Sequence, residues 1–394
     1  MIVREHYLAK IRPFFESNLI KIITGIRRCG KSVLMEQIES ELRSQGKRTL
    51  KLNFEKREVS ARILTVDNLV SEVKSHLGDD KLYVFLDEVQ MVDNWHVACR
   101  SLRLENVSLF ITGSNSKLLS REFTKELSGR YVAFRIRPFV YKELMEYAGQ
   151  LGRTYSVNDY LVYGGFPQVV EFDSKEAVLT YLNDLDDTIV VNDILNRYNI
   201  QKATVFRRLV NLLLLSNARI FSANAVHRAL KGQQIDCSIN TILKYVGYLE
   251  EAYVVSSLKL FSTKAKRELK YSQKIYNADV GLNSIRQPAG RWDITHNLEN
   301  VVYNELLYRG YELSVFRKDP LEIDFLAEKP GRQYLIQVAY SVAEDKTYER
   351  EFALLNKLDQ SRAKILITND DIDYSTSTVR HIKLKDFLLM DDFA

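Results

Sequence analysis

Residues 25–32 read Gly-Ile-Arg-Arg-Cys-Gly-Lys-Ser, the pattern GxxxxGK[ST], and no other stretch constrains the fold of this chain as tightly. An apolar run, Leu-Ile-Lys-Ile-Ile-Thr (19–24), leads into it, and residues 31–43 leave it with apolar residues at helical spacing. A glycine-bounded loop between a buried strand and a helix can curl its backbone N–H groups around phosphate oxygens. The helix N-terminus adds a favourable dipole there. Gly25, Ile26, Arg27, Arg28, Cys29, Gly30, Lys31 and Ser32 are therefore expected to bind ATP or another nucleoside triphosphate. Lys31 should reach the β- and γ-phosphates and otherwise face solvent, and the Ser32 hydroxyl should ligate Mg²⁺. Cys29 reads as a small loop residue, since a redox role would need a depressed thiol pKa.

The first ~150 residues alternate short apolar runs with helical patterns, as a parallel sheet with crossover helices does. Candidate strands are Leu19–Thr24, Thr49–Phe54, Leu82–Asp87 and Val107–Thr112, with helices over Lys31–Arg43, Val66–Leu77 and Asp93–Leu104. The run Leu-Tyr-Val-Phe-Leu-Asp-Glu (82–88) suits a Walker B strand, with Asp87 in the magnesium shell and Glu88 polarising the attacking water. The next strand runs into Gly113-Ser114-Asn115, where Asn115 is placed to sense the γ-phosphate or the water, although Ser and Asn are also ordinary turn residues. Arg130 is the first candidate to stabilise charge on the transferring phosphoryl group, in cis or on a neighbouring subunit. Arg27 and Arg28 are the second.

These motifs, with Leu-Asp-Glu-Val-Gln (86–90), Ile-Thr-Gly-Ser-Asn (111–115), Tyr-Gly-Gly-Phe-Pro (163–167), Asn-Asp-Ile-Leu (192–195) and Lys-Ile-Tyr (274–276), resemble AAA+-type ATPases of bacteria and archaea, in a group related to STAND ATPases. The resemblance covers essentially the whole chain. It implies a P-loop NTPase parallel sheet with helices on both faces, a helical lid, a winged helix-turn-helix and a C-terminal α/β domain of restriction-endonuclease-like fold. The domains expected are 1–150 for the ATPase core, 151–200 for the lid, 201–285 for the winged helix and 290–394 for the last domain.

A chain of 394 residues has room for these domains, and its 46% hydrophobic and 27% charged residues are ordinary for a soluble protein. No apolar run approaches the ~20 residues that span a membrane. Arg4, Glu5, Lys10 and Arg12 interrupt the beginning of the chain where a signal peptide would be apolar. Cys29, Cys99 and Cys237 are too far apart for a zinc site and too few for a disulfide framework, so a cytoplasmic location is expected. The net charge is +5, yet residues 201–274 hold thirteen Lys/Arg against four Asp/Glu, a local +9. Ser222 and Ser238 are placed to cap two helices, the second with Ile239, Ile242, Leu243, Val246 and Leu249 along one face. Two strands, Tyr253–Phe261 and Leu269–Asn277, then enclose a basic wing carrying Lys264, Lys266, Arg267 and Lys270. This segment suits double-stranded DNA, and equally a lid or a docking surface for a protein partner.

The last domain reads helix (Leu298–Arg309), three strands (Glu312–Arg317, Glu322–Ala327, Tyr334–Ala339), helix (Lys346–Leu358), strand (Lys364–Thr368). Resemblance to the restriction-endonuclease core puts Asp324 at the first acid of PD-(D/E)xK, Gln337 at the second and Ala339 at the lysine. Glu305 or Glu322 are the acids at hand to replace the second, and no replacement lysine is evident. Nuclease chemistry needs two carboxylates on Mg²⁺ and a cation near the water, so this domain is expected to bind rather than cut. The expected function is an ATP-driven switch of a DNA- or protein-binding state, with ATP and Mg²⁺ as cofactors and an oligomer compatible with it. An ATP-regulated nuclease and a slow nucleotide-dependent scaffold are the alternatives.

Overall fold

The computed structural model describes residues 1–113, 127–261, 273–288, 290–318, 321–358 and 362–393. Two compact units emerge, one of residues 1–138 with 251–253, the other of 139–250 with 254–394.

The first unit holds strands β1 (Ile20–Thr24), β2 (Arg48–Asn53), β3 (Leu82–Asp87), β4 (Val107–Gly113) and β5 (Tyr131–Arg135), in the order β2-β3-β4-β1-β5. Every pairing is parallel. β1, β3 and β4 are buried at every position, which is why they read as mainly apolar runs, with Lys21 of β1 and Ser108 of β4 as buried exceptions hydrogen-bonded to each other at 2.6 Å. β5 lies at the sheet edge and none of its five residues is buried, although Tyr-Val-Ala-Phe (131–134) is itself a short apolar run. The helix Lys31–Ser44 buries Leu34, Met35, Ile38 and Leu42, a spacing that keeps one stripe against the sheet. The helices Val66–Ser75 and Trp95–Leu102 contribute Leu69, Val73, Ala98 and Leu102 to a core shared with Ile22, Val84 and Leu109.

The second unit begins with helices Tyr141–Gln150, Val157–Tyr163 and Lys175–Thr188, the last widening into a π-helical stretch over Ile189–Asn196. The Asn-Asp-Ile-Leu motif falls in that stretch. The Tyr-Gly-Gly-Phe-Pro motif owes Gly164 to Asp279 and Gly165 to the carbonyl oxygen of Phe139, which a Cβ there would meet at 2.0 Å. The backbone N–H groups of Gly165 and Gly281 donate to the buried Asp279 carboxylate at 2.7 and 2.8 Å. A Cβ on Gly164, whose φ is +74°, would lie 1.7 Å from Asp279 Oδ1. Burial pushes the Asp279 carboxyl up to about 6, against the two amide donors.

After the helix Ala203–Leu215, β6 (Arg219–Phe221), the helices Ala223–Gly232 and Ile239–Glu251, β7 (Val255–Leu258) and β9 (Gln273–Asn277) form a helical pair with an antiparallel sheet ordered β6-β9-β7. Ser222 and Ser238 cap their helices by accepting from the N–H groups of Ala225 and Thr241. The second helix buries Ile242, Tyr245, Val246 and Leu249, while Ile239 and Leu243 are 37% and 42% exposed, contrary to expectation. At ~100° per residue they lie roughly 20° and 60° beyond the edge of the buried arc at Val246, and Tyr245 takes the core position. The expected strand Tyr253–Phe261 is broken, its last part forming β8 (Leu260–Phe261) in a different sheet. Lys264, Lys266, Arg267 and Lys270 lie outside the described residues.

That other sheet runs β14-β13-β12-β11-β10-β8, with β10 (Glu312–Lys318), β11 (Leu321–Lys329), β12 (Arg332–Val338), β13 (Ala363–Thr368) and β14 (Arg380–Lys383). β10–β11 and β11–β12 are antiparallel, and β12–β13 and β13–β14 parallel. Phe352 and Leu355 of the helix Asp345–Asn356 close its core over Ile323, Leu326 and Leu335. No helix among the described residues is long and apolar enough to cross a membrane.

Candidate functional site

The loop after β1 turns on Gly25, whose φ of +151° and surroundings exclude a side chain, since a Cβ would lie 2.4 Å from the carbonyl oxygen of Ile136. Arg28 at its tip is left-handed (φ +63°), and Gly30, at φ +92°, opens the helix. Lys31 is buried rather than solvent-facing, 5% exposed, and its Nζ donates to the carbonyls of Gly25 and Ile26 at 3.2 Å each. The loop thus curls around its own lysine, satisfying an ammonium that a phosphate would otherwise attract. The Cys29 thiol is fully buried and burial pushes it up, so it has no thiolate character.

Asp87 is the polar centre of the site. Ser32 Oγ donates to its Oδ1 at 3.1 Å, Thr112 Oγ1 to the same oxygen, and Asn53 Nδ2 to its Oδ2 at 3.0 Å. The strand register Asn53↔Asp87 explains the last contact. Glu88 follows in a left-handed conformation (φ +55°), its N–H donating to Thr112 Oγ1 at 3.0 Å and its carboxylate accepting from the Gln90 amide. An L-residue held there is strained, a feature found where a side chain must be aimed. The hydroxyl of Ser32 and the carboxylate of Asp87 are hard oxygen donors side by side, and they fit Mg²⁺.

The sequence motifs before and after the loop thus converge. Asn115 lies outside the described residues. Arg130 is exposed beside the beginning of β1, its carbonyl accepting from the N–H of Ile20 at 3.0 Å. The loop leaves from the other end of that strand, about 13 Å away at ~3.3 Å per residue. That is beyond an arginine's reach, so Arg130 does not serve its own loop in cis. Arg27 lies 3.9 Å from Glu55. Sequence reading missed Asn53, Thr112 and Arg135. Arg135 pairs in register with Thr24, beside Gly25, with its guanidinium 4.7 Å over the Tyr253 ring. Only strand register brings these residues to the loop, and register is not visible in one sequence.

A second polar cluster sits on the six-stranded sheet. Lys274 of β9 places its ammonium 2.7 Å from Asp324 Oδ1, 3.1 Å from Glu299 Oε1 and 3.8 Å from Glu322 Oε1. Tyr276, two residues on and therefore on the same face, donates to Glu299 at 2.7 Å. The Val338 N–H donates to Asp324 Oδ2 at 3.0 Å, and Gln337 Oε1 accepts from the Asp324 N–H at 3.3 Å. A lysine thus does stand beside Asp324, supplied by a distant strand. Glu305, one of the expected replacement acids, is turned away and paired with Arg309 at 2.8 Å. Burial and the neighbouring Asp324 raise the Glu299 carboxyl, against the pull of Lys274. The nearby acids raise the Lys274 ammonium despite its burial. Among the described residues no group of three or more His, Cys, Asp or Glu is set to hold a metal ion.

The parallel sheet, the glycine-bounded loop and the acid strand beside it define a P-loop ATPase module of the AAA class, and residues 17–145 match the AAA domain family. Residues 154–287 and 295–387 match two domains of unknown function, DUF8612 and DUF4143. The chain is 34% identical over 382 residues to an uncharacterized protein of Haemophilus influenzae, covering 93% of both. It is 31% identical to the uncharacterized protein MJ1544 of Methanocaldococcus jannaschii, over 90% of this chain and 83% of that one. It belongs to the family of AAA-domain proteins that these relatives represent. Among solved structures, the Walker-type ATPase PABY2304 of Pyrococcus abyssi is similar over 72% of this chain and 96% of its own, at 15% identity and a TM-score of 0.45. AMPPCP-bound DnaA from Aquifex aeolicus is similar over 62% of this chain and 86% of its own, at 13% identity and a TM-score of 0.30.

Proposed function

We propose that the protein is a Mg²⁺-dependent ATPase that uses ATP binding and hydrolysis to switch how its downstream domains meet DNA or a protein partner. The observation carrying this reading is the meeting of Ser32 and Asp87 at 3.1 Å, with Glu88 next in the chain. In this reading residues 25–32 hold the phosphates, Ser32 and Asp87 hold Mg²⁺, and Glu88 polarises the water. Bound Mg²⁺ would neutralise charge on the β- and γ-phosphate oxygens. Asn115 senses the γ-phosphate or the water. Arg130 acts in trans on the nucleotide of a neighbouring subunit, which makes the active form an oligomer. The domains are an ATPase core (1–150), a helical lid (151–200), a winged helix-turn-helix (201–285) and a restriction-endonuclease-like domain (290–394). The helical pair with the β6-β9-β7 sheet, together with the +9 charge of residues 201–274, supports double-stranded DNA as the partner.

Glu88→Gln tests the reading, because it keeps volume and hydrogen bonding but cannot take charge or a proton from water. ATP should stay bound while turnover falls roughly 10²-fold or more. Unchanged turnover would assign the water to another residue. One observation favours the nuclease alternative, the lysine beside Asp324. In the structure, however, Lys274 holds Asp324 and Glu299 by ion pairs, so a nuclease would have to release both to a metal.

A further inference from the structure

Arg4 is 1% exposed, one of the largest fully buried side chains among the described residues, and it lies beneath the phosphate-binding loop. Its Nη1 donates to the carbonyl of Cys29 at 3.0 Å and its Nη2 to the carbonyl of Arg137 at 3.1 Å. The guanidinium carbon lies 4.6 Å over the Tyr7 ring, and the Tyr7 hydroxyl accepts from the N–H of Arg137 at 3.1 Å. The Arg4 N–H donates to Gln37 Oε1 at 3.1 Å, and Gln37 lies on the helix that the loop opens. The guanidinium of Arg4 therefore ties the loop to the chain just beyond β5, and the backbone of the same residue ties it to that helix. The segment beyond β5 also walls in Gly25, through the carbonyl of Ile136.

The peptide between Cys29 and Gly30 is planar and trans, so its C=O and N–H point in opposite directions. Holding the Cys29 carbonyl down toward Arg4 turns the Gly30 N–H up, toward the side where the loop amides receive phosphate. The φ of +92° at Gly30 is a conformation only glycine adopts readily, and the Arg4 bond fixes the peptide plane that precedes it. A flipped peptide would present a carbonyl oxygen to the anion instead. We propose that Arg4 is a positioning residue for the nucleotide, locking the Cys29–Gly30 peptide with its N–H toward the phosphates. It adds a buried positive charge beneath them. This rests on the reading of residues 25–32 as a nucleotide site. Lys31 and Ser32 act on the nucleotide directly, whereas Arg4 acts through the loop.

The test measures affinity for Mg-ATP and Mg-ADP in the wild type, Arg4→Lys, Arg4→Met and Lys31→Ala, each at least ~20 °C below its own melting midpoint without nucleotide. The loop amides cradle the α- and β-phosphates, so ATP and ADP should weaken by a similar factor. For Arg4→Met that factor is about 10 or more, the range of one charged hydrogen bond. Lysine keeps the charge and reaches one carbonyl, so Arg4→Lys should recover part of the loss; it also serves should Arg4→Met not fold. A merely structural role would lower the melting midpoint and leave the affinities of the folded variants at wild-type values, and that result overturns the proposal. If Lys31→Ala loses ATP while the Arg4 variants keep it, only the role of Arg4 fails. If folded wild type binds neither nucleotide, the nucleotide reading fails and this inference with it.

Discussion

Replacing Lys274 by methionine removes the cation from a cluster that holds Asp324 at 2.7 Å, Glu299 at 3.1 Å and Glu322 at 3.8 Å. Lys274 and Asp324 are each 8% exposed, so water replaces little of the lost charge. Breaking a buried ion pair from one side typically destabilises by about 3–5 kcal/mol, because the remaining charge stays desolvated. Glu299 softens the effect, since its raised carboxyl can take up a proton. The lower end of that range, about 3 kcal/mol, is expected near pH 8. The pH dependence has a definite sign. Burial holds the Glu299 carboxyl at about 8 against the pull of Lys274, and losing that pull raises it further, so just above pH 8 the native variant binds more protons than the native wild type. The destabilisation should therefore shrink as pH falls toward about 8 from above and stay level below it. The chain has two tryptophans, Trp95 in the first unit and Trp292 in the second, so urea unfolding of Trp95→Phe proteins followed by Trp292 fluorescence reports the second unit. Adding Asp324→Asn and Glu299→Gln to Lys274→Met should restore part of the loss, because the buried acids are then neutral and only the partly exposed Glu322 keeps its charge. A Lys274→Met variant within roughly 1 kcal/mol of wild type at pH 8 would refute the claim that this ammonium offsets the buried acids.

Two further outcomes follow from the domains beyond the loop. Duplex DNA should bind with an affinity that falls steeply with salt, and replacing Lys264, Lys266 and Arg267 together should flatten the log–log slope by up to about 3, at ~0.9 per phosphate contact. No binding at low salt, with or without ATP, would transfer the basic segment to a protein partner. Incubation with single- and double-stranded DNA and RNA, Mg²⁺ or Mn²⁺ and ATP should give no cleavage that depends on Asp324. Cleavage that disappears in Asp324→Ala would establish the nuclease, whereas cleavage that persists in it comes from a contaminant.

The central sheet was legible because its inner strands are buried on both faces and so are mainly apolar, as Leu82–Leu86 is before Asp87. β5 escaped, because its apolar part is only Tyr-Val-Ala-Phe (131–134), too short to tell from other local apolar runs. The loop, Asp87 and Glu88 announce themselves by chemistry at fixed spacing, but Asn53, Thr112 and Arg135 join them only through inter-strand register. The Arg130 expectation failed in cis for the same reason: a sequence does not say which end of its strand a residue occupies relative to a neighbour. Lys274 shows the limit most plainly. It stands 50 residues from Asp324 along the chain, and only the alternation Lys274-x-Tyr276 hinted at a shared polar face.

The account stands first on the loop at Gly25–Ser32, and Mg-ATP binding by wild type and Lys31→Ala under identical conditions tests it most directly. The wild type should bind, and the variant, compared at a temperature where it is folded, should lose affinity by about 100-fold, the upper range of a charged contact to phosphate. Equal affinities in the two proteins, or a folded wild type that binds no nucleotide, would contradict it.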